Sequence, residues 1–148
     1  MLFRSSDGTC YRCGQSDPMV QSTLSKCSLI MPSVPQVIHY KNYKDEIQST
    51  VNVTGITYQF KYEGDGTVSL KGSFSGTKTY DKKGAGQSDS AKIGWKIYDS
   101  NGNVIKTGTF YSPAVAEGES FSDQEVNFIY GSQAIAPGTY RLEIINVN

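Results

Sequence analysis

The chain has 148 residues, with 14 basic and 14 acidic side chains and a formal net charge of zero. A length of this order holds one domain plus an appendage. The chain lacks the basic face of a nucleic-acid binder, the Lys/Arg-rich amphipathic helix of a membrane-surface binder, and any run of roughly 18 apolar residues to span a bilayer.

The opening Met1-Leu-Phe-Arg-Ser-Ser6 carries one Arg and no apolar segment after it, so it does not read as a signal peptide. Leu2-Phe3-Arg4-Ser5 coincides with the translation of a common sequencing adapter, which predicts an artificial start and a metagenomic fragment. Residues 1–50 read as an irregular, Cys-containing segment that runs into a linker. Cys10-Tyr-Arg-Cys13-Gly14 has the spacing of a zinc knuckle, in which two thiolates on a tight turn take two corners of a tetrahedron. Cys27 would be the third ligand and His39, the one His of the chain, the fourth. Three readings stay open. They are a partial zinc ribbon through Cys10, Cys13, Cys27 and His39, a disulfide, and free thiols in a loosely packed segment. The expected state is the last, with no resident cofactor, because Pro32, Pro35 and a shortage of apolar residues leave the first 45 or so positions little to bury. A thioredoxin-like redox role lacks its surrounding βαβ pattern. His39 as a general base has no partner nearby in sequence. The run Lys41-Asn-Tyr-Lys-Asp-Glu46 completes the linker over residues 31–50.

From residue 51 the pattern changes to strands. The aromatic load of 10 Tyr, 6 Phe and one Trp, with 15 Gly, suits strands and turns better than helices, and no helix is expected anywhere. Ile56, Tyr58, Phe60 and Tyr62 alternate with polar residues up to a Gly64-Asp-Gly66 turn, and Val68, Leu70, Gly72 and Phe74 alternate after it. Glu63 and Asp65 beside those glycines read as a solvated loop. Asn52-Val-Thr54 fits a glycosylation sequon without any secretory context to give it meaning. Gly76 to Ser90 reads as one long polar loop, a length often functional or mobile.

Ile93, Trp95 and Ile97 then alternate with Lys92, Gly94 and Lys96, and Asp99-Ser-Asn-Gly-Asn103 turns the chain back into Val104–Tyr111. Alternation bounded by Asn-Gly is a strong hairpin signal. Asp99, Asn101 and Asn103 imitate the start of a calcium loop, but the sixth and twelfth positions, Val104 and Phe110, supply neither the Gly nor the bidentate Glu. Trp95 is expected in the core. Tyr80, Tyr98, Phe110 and Tyr111 near strand ends offer rings for stacking on a sugar or peptide. Phe121, Val126, Phe128 and Tyr130 continue the alternation, and Tyr140, Leu142 and Ile144 close it. The expectation for residues 51–148 is an all-β antiparallel sandwich of six to seven strands, immunoglobulin-like or fibronectin type III-like. Ile93, Trp95, Ile97, Phe128, Tyr140, Leu142 and Ile144 should face inward.

The motifs Ile97-Tyr98-Asp99, Ser100-Asn-Gly-Asn103 and Gly118-Glu119-Ser120-Phe121 resemble those of bacterial FxLYD-type domains. Ile135-Ala-Pro-Gly-Thr-Tyr140-Arg-Leu142 is similar to the Pro-Gly-Thr-Tyr lead-in to a late strand in many bacterial immunoglobulin-like and fibronectin type III-like domains. That resemblance implies a tyrosine corner at Tyr140 and an accessory module of a Gram-positive cell-envelope protein. Such modules often carry an N-terminal zinc ribbon and have no catalytic residues to transfer. The expected function is therefore a non-catalytic binding or structural module at the cell envelope or outside the cell, with a protein or cell-wall partner. Two alternatives stand beside it: an inhibitor or adhesin presenting loops or an edge strand, and a fragment of an enzyme whose catalytic part lies elsewhere.

Overall fold

In the computed structural model, which describes residues 18–148, two four-stranded sheets pack face to face as an all-β sandwich. Strands β1 (Ser28–Ile30), β2 (Gln36–Lys41), β3 (Ile47–Gly64), β4 (Thr67–Asp81), β5 (Lys92–Tyr98), β6 (Val104–Tyr111), β7 (Ser120–Ile129) and β8 (Thr139–Ile145) follow a short helix α1 (Pro18–Ser25). One sheet runs β1-β8-β5-β6 and the other β2-β3-β4-β7. All pairs are antiparallel except β1 with β8.

Local chemistry explains the β3–β4 and β5–β6 hairpins. Between β3 and β4 the register closes at Gly64 and Thr67, leaving Asp65 (φ 52°) and Gly66 (φ 72°) as a two-residue turn with both φ positive. That is a type I′ geometry, whose twist matches the strands, and Asp and Gly tolerate it best. Between β5 and β6, Asp99 Oδ1 accepts from the backbone N–H of Asn101 and of Asn103, each at 2.9 Å, so the expected turn is of the Asx type.

Period-2 alternation puts Val51, Val53, Leu70, Phe74, Ile93, Trp95, Ile97, Phe128, Leu142 and Ile144 in one buried core. Of the residues expected to face inward, only Tyr140 is half-buried instead of buried. It packs against the core while its Oη donates to the Ala136 carbonyl at 2.6 Å, the geometry of a tyrosine corner. Tyr140→Phe should therefore lower stability by about 1 kcal/mol in a denaturant titration. An unchanged midpoint would show that the hydroxyl bond contributes nothing.

Several expectations need correction. Six strands, β3 to β8, run through residues 51–148 as expected, and β1 and β2 add two more before them, so the stretch 31–50 is no linker: β2 pairs with β3 from Gln36↔Val53 to Lys41↔Ile47. Residues 28–41 are not loosely packed. Leu29 and Ile38 enter the core, and His39 and Lys41 also pair with the C-terminal segment through Val147. The domain boundary expected at residue 51 thus falls inside β3. Where no helix was expected, the described residues hold the α-helix α1 and a single 3-10 turn at Gly131–Gln133. α1 is seated on the sandwich. Its Val20 and Thr23 are buried, and Tyr62 Oη lies 3.8 Å from Met19 Sδ, so α1 is held by tertiary contact with the β3–β4 hairpin. The polar loop is shorter than expected, because β4 continues to Asp81 and leaves only residues 82–91 outside strands.

Candidate binding site at the sandwich mouth

The inward row of β2, β3 and β4 turns polar at one end of the sandwich. Tyr40 pairs with Ser49 and Ser49 with Asp81, so three side chains from three neighbouring strands form one row. They continue the parity of buried Ile38, Val51 and Val53 but sit where the core meets the 82–91 loop. A cavity of about 260 Å³ opens there, lined by Tyr40, Gln48, Ser49 and Ser90 together with the charged Asp81, Lys82, Lys83 and Asp89.

Beside it lies the one fully buried lysine of the described residues. Lys78 is 0% exposed and its Nζ donates to Asp81 Oδ2 at 2.8 Å, Asp89 Oδ1 at 2.7 Å and the Asp89 carbonyl at 2.7 Å. An ammonium has three donors, and all three are used. Each carboxylate oxygen of the two aspartates has a partner in turn. Asp81 Oδ1 accepts from the Lys83 backbone N–H at 2.9 Å, and Lys83 Nζ lies 3.1 Å from Asp89 Oδ2. Burial alone would push the Lys78 ammonium to lower pKa, but its bonds to the two aspartates outweigh that and raise it above the ordinary lysine value. The Lys78 bond, with help from Asp81 and Lys83, holds the Asp89 carboxyl far below the usual aspartate range.

Lys82 adds a rim pair with Glu46 at 3.0 Å, which lowers the Glu46 pKa. Lys92 Nζ stands 4.2 Å from the Tyr40 ring centroid and 5.5 Å from that of Tyr111, fixing the Tyr40 ring beside the cavity. Ser49 Oγ differs from the charged groups beside it. Ser49 is 5% exposed, yet its hydroxyl has no hydrogen-bond partner among the described residues.

The residues singled out from sequence lie elsewhere. Cys10 and Cys13 fall outside the described residues. Cys27 sits half-buried between α1 and β1, its thiol 3.5 Å from the Thr23 carbonyl, and burial raises its pKa against a smaller opposing effect of the Gly138 backbone. His39 projects from β2 with Nδ1 2.9 Å from Thr50 Oγ1. Among the described residues no three His, Cys, Asp or Glu side chains gather into a metal-holding group. Glu63 Oε2 accepts the Ser69 hydroxyl at 2.7 Å. Of the aromatic residues, Phe110 is a core residue and no stacking surface, tilted against Phe74 with centroids 4.8 Å apart. Tyr111 and Tyr80 are exposed. The Tyr98 ring lies beneath Arg141 at 4.1 Å and its Oη donates to Glu143 at 2.9 Å, which raises the Tyr98 pKa.

Tyr40, Ser49, Lys78 and Asp89 were not singled out. One signal was present: Lys78 falls in phase with the inward series Val68, Leu70, Gly72, Phe74 and Gly76, and a charge in that phase demands a buried counter-charge. Comparisons with family models, curated proteins and solved structures return no match.

Proposed function

We propose that this chain is a non-catalytic binding module, an accessory domain of a bacterial cell-envelope protein, and that the sandwich mouth is its binding end. The envelope assignment rests on the sequence resemblance. The observation that supports a non-catalytic role is the direction of the pKa shifts at the mouth. A general acid or base works best with a pKa near the operating pH. Here Lys78 is driven up and Asp89 down, both away from neutrality, and the bonds that do this hold the surrounding side chains still. Such a network braces the wall of the mouth and leaves the neighbouring hydroxyls of Tyr40, Ser49 and Ser90 to meet a ligand.

The test is co-sedimentation of the purified chain with sacculi of a Gram-positive bacterium. The chain is expected in the pellet, with no soluble fragments released from the wall, and Tyr40→Ala should shift it to the supernatant. Release of wall fragments that stops on Asp89→Asn would overturn the non-catalytic reading.

A second reading is favoured by the edges of the two sheets. β1 has three residues, β2 is covered by Asn146 and Val147, and β7 carries Asp123 at φ 50° with Glu125. Those are ordinary ways to blunt an edge. β6 is eight residues long, makes no further backbone pairing on its outer side among the described residues, and exposes Val104, Ile105 and Tyr111. An extended segment of a protein partner adding to β6 is the inhibitor or adhesin alternative in structural form. Thr107→Pro should abolish such binding and leave sacculus binding intact.

A further inference from the structure

The chemistry of the mouth says what kind of ligand it takes. We propose that it holds one unit of a neutral polyhydroxylated ligand, a pyranose ring of a glycan, between the Tyr40 ring and the hydroxyls of Ser49 and Ser90. This inference rests on the reading of the mouth as the binding end and names the ligand class for it.

Charge is the first argument. Lys78, Lys82 and Lys83 face Asp81, Asp89 and Glu46, three against three, and every one of these six is in an ion pair. A phosphate or carboxylate ligand would have to draw Lys82 or Lys83 out of its ion pair, or Lys92 off the Tyr40 and Tyr111 rings. A divalent cation would have to strip Asp81 and Asp89 from Lys78, leaving a buried ammonium without partners. Neither sign of ion is favoured.

Uncommitted hydrogen-bonding capacity is the second argument. Ser49 Oγ is buried and unpartnered, and Tyr40 Oη and Ser90 Oγ also form no hydrogen bond among the described residues. Gln48 uses its Nε2 on the Glu46 carbonyl at 3.0 Å and keeps its carbonyl oxygen. Hydroxyls both donate and accept, so this set matches ligand hydroxyls of either orientation. A buried hydroxyl left unmade costs the fold, which a bound hydroxyl would relieve. The Tyr40 ring, braced by Lys92, offers an apolar surface to the C–H face of a sugar. Size is the third. The cavity of about 260 Å³ falls just under the roughly 300–1,000 Å³ of drug-sized pockets, which suits a single ring with the rest of the chain outside.

Amide chemical-shift titration of the whole chain tests this. The probes are glucose, galactose, N-acetylglucosamine and β-linked oligomers of each, with calcium chloride and sodium phosphate as separate arms. At least one saccharide should shift the amides of Gln48, Ser49, Asp89 and Ser90 with a Kd on the order of 1 mM, as an open, shallow site implies. Ser49→Val should bind about tenfold more weakly, and Tyr40→Ala should lose more than Tyr40→Phe. Each variant is first shown to keep the wild-type melting midpoint and spectral dispersion. Saccharide shifts located away from the mouth, or affinity unchanged in Ser49→Val, would overturn the inference. So would a response to calcium or phosphate alone, although the mouth would then still be a binding end. If no probe acts while the chain still pellets with sacculi in a Tyr40-dependent way, the ligand class is wrong and the binding end stands. If neither assay responds, the mouth holds ordered water only and both readings fall.

Discussion

Lys78→Ala is expected to destabilise the sandwich by about 3–5 kcal/mol, because it removes the cation that two carboxylates share inside the fold. Asp81 is 4% exposed, so without Lys78 its charge must be buried bare or protonated. Asp89→Asn should cost much less. Its side chain is 39% exposed, water screens it, and the Asn carbonyl can still accept from Lys78. Replacing all three with Lys78→Met, Asp81→Asn and Asp89→Asn should recover a large part of the loss, because the charges vanish together. Urea unfolding of the three variants checks the order, and a Lys78→Ala loss no larger than that of Asp89→Asn would show that the buried amine is not what holds this end. The pH dependence has a definite sign. A carboxyl whose folded pKa is depressed contributes stability above its unfolded value of about 4, and that contribution drains away as the pH falls below it. Lys78 is raised in the folded state, so its contribution is complete below the unfolded value of about 10.5 and is lost only as the pH climbs through the folded value. Wild type should therefore weaken on acidification below about pH 4 and again in strong alkali, and the acid limb should flatten in Asp89→Asn.

The legible part of this fold is the part where side-chain alternation alone decides burial. Trp95 between Ile93 and Ile97, and Leu142 with Ile144, announce their face without outside help. β2 was not legible, because Pro35 precedes it and Gln36-Val-Ile-His-Tyr-Lys41 buries only Ile38. It is a strand because β3 offers it a ladder on one side and Asn146–Val147 partners on the other, both distant in sequence. α1 was hidden for a similar reason. Eight residues that include three of Ser or Thr make a poor helix in isolation, and this one forms against the β3–β4 hairpin. The mouth was the hardest to see. Its residues come from β2, β3, β4 and the following loop, and each reads alone as an ordinary strand-end or loop residue. Only the Tyr40–Ser49–Asp81 register brings them into one row. The tyrosine corner, by contrast, lies within five consecutive residues, Ala136 to Tyr140, and such local geometry survives in a linear reading.

Trp95→Ala is expected to cost about 3–5 kcal/mol, the loss of a large buried ring and the cavity left behind it. The ring meets Phe128 edge to face at 5.0 Å, Phe128 meets Phe74 at 5.8 Å, and Phe74 meets Phe110 at 4.8 Å, so the tryptophan starts a chain of aromatic contacts across both sheets. Its slot is made by a missing side chain. A Cβ placed on Gly108, directly opposite on β6, would overlap Trp95 Cζ2 and lie 2.8 Å from Cε2. Gly108→Ala should thus cost about 1–3 kcal/mol by overpacking. Trp95→Phe removes the indole atoms that collide, and with them the buried Nε1–H that finds no acceptor among the described residues. Two consequences follow from that geometry. Trp95→Phe should be milder than the lost volume alone implies, since an unpaired donor leaves the core with it. Gly108→Ala should also cost less in a Trp95→Phe background than in the wild type, with a coupling of about 1 kcal/mol between the two positions. Urea denaturation of the four proteins in this cycle, followed by far-ultraviolet circular dichroism, measures it, and strictly additive losses would mean that the indole does not occupy the space left by Gly108.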